Sequence, residues 1–350
     1  MSYIKKPRIL HPQLAPNGIG LSIHDYEGAM STLCAGCGHD SVSAAIIQAF
    51  FELDVEPHRV AKLSGIGCSS KTPTYILRTA HGFNSVHGRM PSIATGANAA
   101  NRELHYIGIS GDGDSLSIGL GQLCHAIRRN VNMLYVIENN GVYGLTKGQF
   151  SASADVGSAA KKGDVNQLQP IDPVVTAIDI GGSFVARGFS GDKRNLVPLI
   201  KAGIMHRGFA LLDVISPCVT FNDHDGSTKS YLHTREAAHT AVYADFIPEK
   251  EEITVKVEKG VTSVMLHDGG QVHLRYVDED YDPTDRGKAV TYVRQHQAKG
   301  EIVTGLLYID DKISDLHEAN DTADTPLVEL DFETLNPGSK ALEEIQKAWG

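Results

Sequence analysis

Asp112 and Asn140 are the residues whose types and spacing most clearly suggest chemistry. They lie in the segment GDGDSLSIGLGQLCHAIRRNVNMLYVIENNGVYG, where the second Asn of an Asn-Asn pair follows Asp112 by 28 residues. A carboxylate, an amide oxygen and backbone carbonyls together make a hard oxygen site. Mg2+ favours such ligands at about 2.0–2.1 Å and usually completes its octahedron with phosphate oxygens. The glycines let the backbone come close to a ligand. A helix starting near Ser115 would aim free N–H groups at it. The spacing therefore predicts a pyrophosphate held through Mg2+. Gly-Asp-Gly alone reads equally as a plain turn; the pairing with Asn140 across a helix and a buried strand is what makes it specific. The sequence has no GxxxxGK[ST] run, and Gly111-Asp112-Gly113-Asp114-Ser115-Leu116 lacks the third glycine of a GxGxxG loop.

The cysteines form a second candidate group. There are five, Cys34, Cys37, Cys68, Cys124 and Cys218. In a long chain, the CxxC at Cys34 and Cys37 suggests metal or redox chemistry more than a disulfide framework. Alone it could be half a zinc site, a redox pair or two cluster ligands. Zinc normally takes a second CxxC or an HxxxH, and neither is present. His39 beside the pair could ligate a metal or donate to a phosphate. Cys68 and Cys218 both follow strand-like runs, so both are expected at the sheet edge that carries Asp112 and Asn140. Four thiolates brought together there could hold an iron–sulfur cluster. Cys124 falls between Leu120 and Ile127 on the apolar side of a helix and is expected to be an ordinary core residue.

The elements that must position these residues are legible as periodicity. Val60–Ser64, Tyr106–Ile109, Met133–Ile137 and Ala210–Ile215 are short, nearly continuous apolar runs. Such runs suit strands buried on both faces of a parallel sheet. Each ends in a turn carrying a candidate residue, which is the edge where open α/β sheets bind ligands. Between the second and third runs, Leu116, Leu120, Leu123 and Ile127 form one helical stripe. Asp114 is placed to cap that helix, and Arg128 and Arg129 close it where positive charge is favoured. The expected fold is α/β, a mostly parallel sheet with helices on both faces.

Composition bounds the function. The chain has 350 residues, 41% hydrophobic and 21% charged, with a net charge of −10 that argues against nucleic acid as a partner. No apolar run reaches the length of a membrane span. The stretch Met1–Pro16 has no apolar core of a secretory signal, so the cytoplasm is the expected compartment. The reading divides the chain into an N-terminal arm, 1–29, a cofactor domain, 30–230, and a C-terminal extension, 231–350. The acidic runs of that extension, Asp278-Glu279-Asp280 and Asp310-Asp311, read as solvated surface.

The paired GDG and NN resemble the thiamine-diphosphate motif of enzymes such as transketolase and pyruvate decarboxylase. By that resemblance Asp112 and Asn140 ligate Mg2+ by side chain and Val142 by its backbone carbonyl. In order along residues 30 to 225, CAGCGH, GIGCSSKTP, HGR, GDGD, ENNGVYGLTKGQ and SPC resemble the beta subunit of 2-oxoacid:ferredoxin oxidoreductases. The resemblance implies the thiamine-diphosphate-binding fold of the pyrophosphate type. It implies one 4Fe–4S cluster on Cys34, Cys37, Cys68 and Cys218. It implies cofactor contacts from Ile66, Gly67, Cys68, Ser69, His87, Gly113, Asp114, Gly144 and Leu145.

The implied reaction is oxidative decarboxylation of a 2-oxoacid with coenzyme A and ferredoxin, or its reverse. Only one thiamine-type domain is legible. An alpha subunit is therefore expected to bring the pyrimidine-binding domain, the activating glutamate and most of the coenzyme A site, in an alpha2–beta2 assembly. Lys71, three positions after Cys68, is the candidate for pairing with the distal carboxylate of 2-oxoglutarate, with Leu145 shaping the same pocket. The alternatives are a pyruvate:ferredoxin oxidoreductase beta subunit, a cluster-free thiamine-diphosphate decarboxylase or carboligase, and a zinc-stabilised binding module on Cys34, Cys37 and His39.

Overall fold

The computed structural model describes residues 15–161, 163–247, 261–265, 271–276 and 281–349. The first fourteen residues and the acidic run 278–280 lie outside them. The predicted apolar runs are strands. They are β1 (Val60–Ser64), β3 (His105–Gly111), β4 (Met133–Asn139) and β8 (Phe209–Ile215), joined by β2 (His81–Asn84) and β7 (Phe184–Phe189). A two-stranded hairpin, β5 (Val142–Tyr143) and β6 (Gln149–Phe150), follows β4 directly. From the C-terminal part come β9 (Ala238–Ile247), β10 (Val261–Met265), β11 (Gln271–Tyr276) and β12 (Ile302–Ile309).

Ten of these strands form one sheet, in the order β10-β11-β9-β12-β7-β8-β4-β3-β1-β2. The six from β7 to β2 run parallel. Every residue of β1, β4, β7 and β8 is buried, so the sheet is covered on both faces there. That is why these strands read as unbroken apolar runs and not as alternations. The C-terminal strands extend the same sheet: β12 pairs antiparallel with β7, and β9 lies parallel beside β12. The strands β9, β10, β11 and β12 thus share the sheet that carries the candidate site.

Two local expectations are corrected. Asp114 does not cap the helix after β3. Residues Gly113–Ile118 form a π-helical turn, and the α-helix begins only at Leu120 and runs to Arg128. The Asp114 carboxylate is instead taken up by Ser110 and by the His87–Gly88 turn. π-turns of this kind recur at functional sites. The predicted stripe survives, with Leu116, Leu123 and Ile127 buried and Leu120 packed against the core. Cys124 lies on the flank of that stripe and is only half-buried.

Candidate functional site

A cleft opens at the carboxyl ends of β1, β3 and β4. It is lined by Ile66, Gly67, Cys68 and Ser69 after β1, by His87, by Gly111 to Asp114 after β3, and by Asn140 and Val142 to Thr146 after β4. Every residue expected to touch the cofactor or Mg2+ is on this wall. Lys71 is not. It ends the short turn Ser69–Lys71 and is close enough to Cys68 to act on its charge, but it does not line the cleft. Leu145 does, with half its surface exposed.

Asp112 is 1% exposed. Its Oδ2 accepts from Ser151 Oγ, from Ser153 Oγ at 2.6 Å and from the Gly141 amide at 3.0 Å. Its Oδ1 takes one long contact, from the Asn140 amide at 3.4 Å. Burial nevertheless pushes the Asp112 carboxyl upward, against the hydroxyls and the charge of Lys229. A cation at Oδ1 would supply what this carboxylate lacks. Asn140 is held alongside, its carbonyl bound by Asn222 Nδ2 at 2.7 Å and its Oδ1 accepting from the Val142 amide at 3.1 Å. Gly141 between them has φ 75°, a conformation that favours glycine and turns the chain back over Asp112. These residues fit a magnesium ion bridging to phosphate.

The opposite wall is built for close approach. A Cβ on Gly113 would meet the Tyr143 ring, and one on Gly65 would overlap the Asp114 carboxylate. Tyr143 donates to the Gly113 carbonyl at 3.0 Å and packs edge-on to His87. Asp114 binds His87, the Gly88 amide at 2.8 Å and Ser110 Oγ at 2.6 Å. His87 is thereby fixed at the mouth with its other nitrogen available.

The four expected cluster cysteines come together beside this cleft. A Cβ on Gly144 would lie 3.5 Å from the Cys68 sulfur and 3.6 Å from that of Cys218. Both sulfurs therefore lie beside this one glycine. The CxxC turn is tied to the Cys218 segment, because the Gly38 amide donates to the Pro217 carbonyl and Thr220 donates to the Cys34 sulfur at 3.3 Å. Burial, then Cys218, raises the Cys68 thiol, with Lys71 opposing. Cys37 is pushed up to about 12, mainly by burial. Among the described residues no three His, Cys, Asp or Glu side chains already converge as a metal site. The thiols are neighbours whose protons would leave as a metal centre bound, a donor set that fits iron–sulfur ligation.

Sequence reasoning missed three residues on this site, Glu138, Ser151 and Ser153. Glu138, the Glu of ENN, is fully buried, accepts from Thr72 Oγ1 at 3.1 Å and lies 3.5 Å from His39. Burial raises its carboxyl well above the usual range and lowers His39 to about 4, so His39 is neutral near pH 7. His39 Nδ1 meets Ser216 Oγ at 2.6 Å and its Nε2 lies 3.5 Å from Asn140 Nδ2, which places this histidine in the floor of the cleft. Ser151 and Ser153 lie just past the GQ that ended the motif, and only the fold brings them to Asp112.

The comparisons agree with this geometry. The family "Thiamine pyrophosphate enzyme, C-terminal TPP binding domain" matches residues 65–214. The 2-oxoacid:ferredoxin oxidoreductase subunit beta of Saccharolobus solfataricus is 39% identical over 243 residues, 66% of this chain and 76% of that one. The 2-oxoglutarate oxidoreductase subunit KorB of Mycobacterium tuberculosis is 40% identical over 191 residues, 54% of this chain and 51% of its own length. A solved 2-oxoglutarate:ferredoxin oxidoreductase from Magnetococcus marinus, with 2-oxoglutarate, coenzyme A and succinyl-CoA bound, superposes with a TM-score of 0.69. It is 28% identical, with 89% of this chain and 94% of that chain covered. With three-quarters of a relative's length matched at this identity, and a thiamine-diphosphate cleft at the matching place in the fold, the chain belongs to the beta subunits of 2-oxoacid:ferredoxin oxidoreductases.

Proposed function

We propose that this chain, joined to an alpha subunit in an alpha2–beta2 assembly, oxidises 2-oxoglutarate with coenzyme A and ferredoxin, or runs the reverse. Products in the oxidative direction are acyl-CoA, carbon dioxide and reduced ferredoxin. The observation that carries the proposal is one cleft lined by every expected thiamine-diphosphate contact, with four cysteines gathered on its rim. Thiamine diphosphate, when bound, supplies the nucleophilic carbon and the electron sink for decarboxylation. Asp112, Asn140 and the Val142 carbonyl hold its pyrophosphate through Mg2+. Gly113 and Gly144 would line it, and His87, braced by Asp114, would donate at the mouth. Cys34, Cys37, Cys68 and Cys218 hold one 4Fe–4S cluster. Cys68 would belong to both sites, since it lines the cleft and stands beside Cys218.

The names of the Mycobacterium tuberculosis relative and the Magnetococcus marinus structure support 2-oxoglutarate. Lys71 is off the cleft wall but close enough to Cys68 to act on its charge. The test is ferredoxin reduction by the alpha–beta complex with 2-oxoglutarate and with pyruvate. Lys71→Ile is expected to lower kcat/KM for 2-oxoglutarate about 10-fold more than for pyruvate, the size of one charge-assisted bond. An equal loss for both removes Lys71 from substrate choice.

A further inference from the structure

We propose that Ser151 and Ser153 are positioning residues. They clamp one oxygen of Asp112 so that the other faces the cation, which rests on reading Asp112 as a Mg2+ ligand. Both serines are buried, at 7% and 3% exposure. Both hydroxyls reach the same atom, Oδ2, where the Gly141 amide also donates. Three donors on one oxygen leave it little capacity for a metal, while Oδ1 takes only the long contact from the Asn140 amide. The asymmetry selects one-oxygen ligation over a chelating carboxylate, which suits the narrow octahedron of Mg2+.

The clamp is itself held. Ser153 has one proton for several acceptors, and the charge-assisted bond to Asp112 is the shortest of its contacts. The Ser153 amide donates to Ser151 Oγ at 3.4 Å, and Asn139 Oδ1, 2.9 Å away, is a competing acceptor for the Ser153 proton. Asn139 is oriented by donating to Asp213 Oδ1 at 2.9 Å, and Asp213 is held by Arg187 Nε at 2.7 Å. Asn139, Asp213 and Arg187 sit on β4, β8 and β7, three adjacent strands of the sheet. Ser151 arrives by another route. The β5–β6 hairpin that presents Val142 returns the chain, and the Ser151 amide donates to the Gly141 carbonyl at 3.0 Å. The loop that offers a backbone ligand therefore also locks the carboxylate.

The experiment measures thiamine diphosphate binding by calorimetry on the alpha–beta complex, first stripped with chelator, then titrated in Mg2+ or Ca2+. Ser153→Ala is expected to raise the Mg2+ midpoint roughly 10-fold or more, in the range for residues that orient a metal ligand. The Ca2+ midpoint should move much less, because Ca2+ tolerates irregular ligation. Ser153→Thr should restore the Mg2+ midpoint. Ser151→Ala tests the same oxygen from the other side if Ser153→Ala does not assemble. Equal shifts for both cations, or none, would overturn the clamp. Asp112→Ala separates the two readings: if it leaves the Mg2+ midpoint unmoved, the magnesium assignment itself falls.

Discussion

The two ends of the cleft are finished to different degrees. At the Asp112 end, hydroxyls, amides and a glycine turn fix each donor before any cation arrives, and the outer supports reach back into three buried strands. At the cysteine end, the sulfurs are neighbours, but Cys34 is exposed, Cys37 and Cys68 are raised as thiols, and the Thr220 hydroxyl is the one side-chain donor bonded to a sulfur among the contacts described. A hard, geometrically strict cation needs a site built in advance. A cluster carries its own geometry and strong bonds, so the protein need only gather ligands and leave space. The ends should therefore fail independently.

The largest effect expected is at the cysteine end. Cys34→Ser, which removes a rim sulfur off the cleft wall, should take iron content and ferredoxin reduction to background. Thiamine diphosphate affinity should stay within about twofold, as for independent sites. A parallel collapse of both would mean the ends are one cooperative unit.

Next comes Asp112→Ala, which should weaken thiamine diphosphate binding in Mg2+ by at least about 100-fold, beyond the usual effect of outer-sphere residues. Iron content should be unchanged. Loss of iron here would break the comparison from the other side.

The smallest effect sharpens it. Glu138 lies in the floor where the two ends meet, and its folded carboxyl is held protonated above its unfolded range. As pH rises past about 4.5, the unfolded chain releases that proton and the folded chain keeps it, so wild-type stability falls until the folded pKa is reached. Glu138→Gln removes this slope. The melting temperature of the variant complex should gain on wild type from pH 5 to pH 7, with cofactor and iron content unaltered. A variant that loses ground as pH rises would show that Glu138 is ionised in the folded protein.

Much of this was legible in the chain because parallel strands buried on both faces leave apolar runs, and each run ends at the ligand edge. Asp112, Asn140, Cys68 and Cys218 could be placed together on that logic alone. Asp114 was misplaced because an Asp after a glycine turn has the same sequence signature whether it caps a helix or braces a histidine. What decides the matter is that Ser110 and the Gly88 amide take up the Asp114 carboxylate. Ser151 and Ser153 were invisible because a hairpin, not periodicity, returns them to Asp112. Glu138 reads as one more strand residue until its burial against His39 is seen. Polar residues break β9, β10 and β11, so their membership of the same sheet was hidden, and the apolar run of β12, IVTGLLYI, was passed over.

The most direct test of the central claim is the iron, sulfide and thiamine diphosphate content of the alpha–beta complex purified without oxygen, with its visible spectrum. The account predicts about four irons and about four sulfides per beta chain at this cysteine site. It also predicts thiamine diphosphate and a brown absorption band that bleaches with 2-oxoglutarate and coenzyme A. Thiamine diphosphate with no iron on the beta chain would contradict it and make this cleft that of a cluster-free decarboxylase.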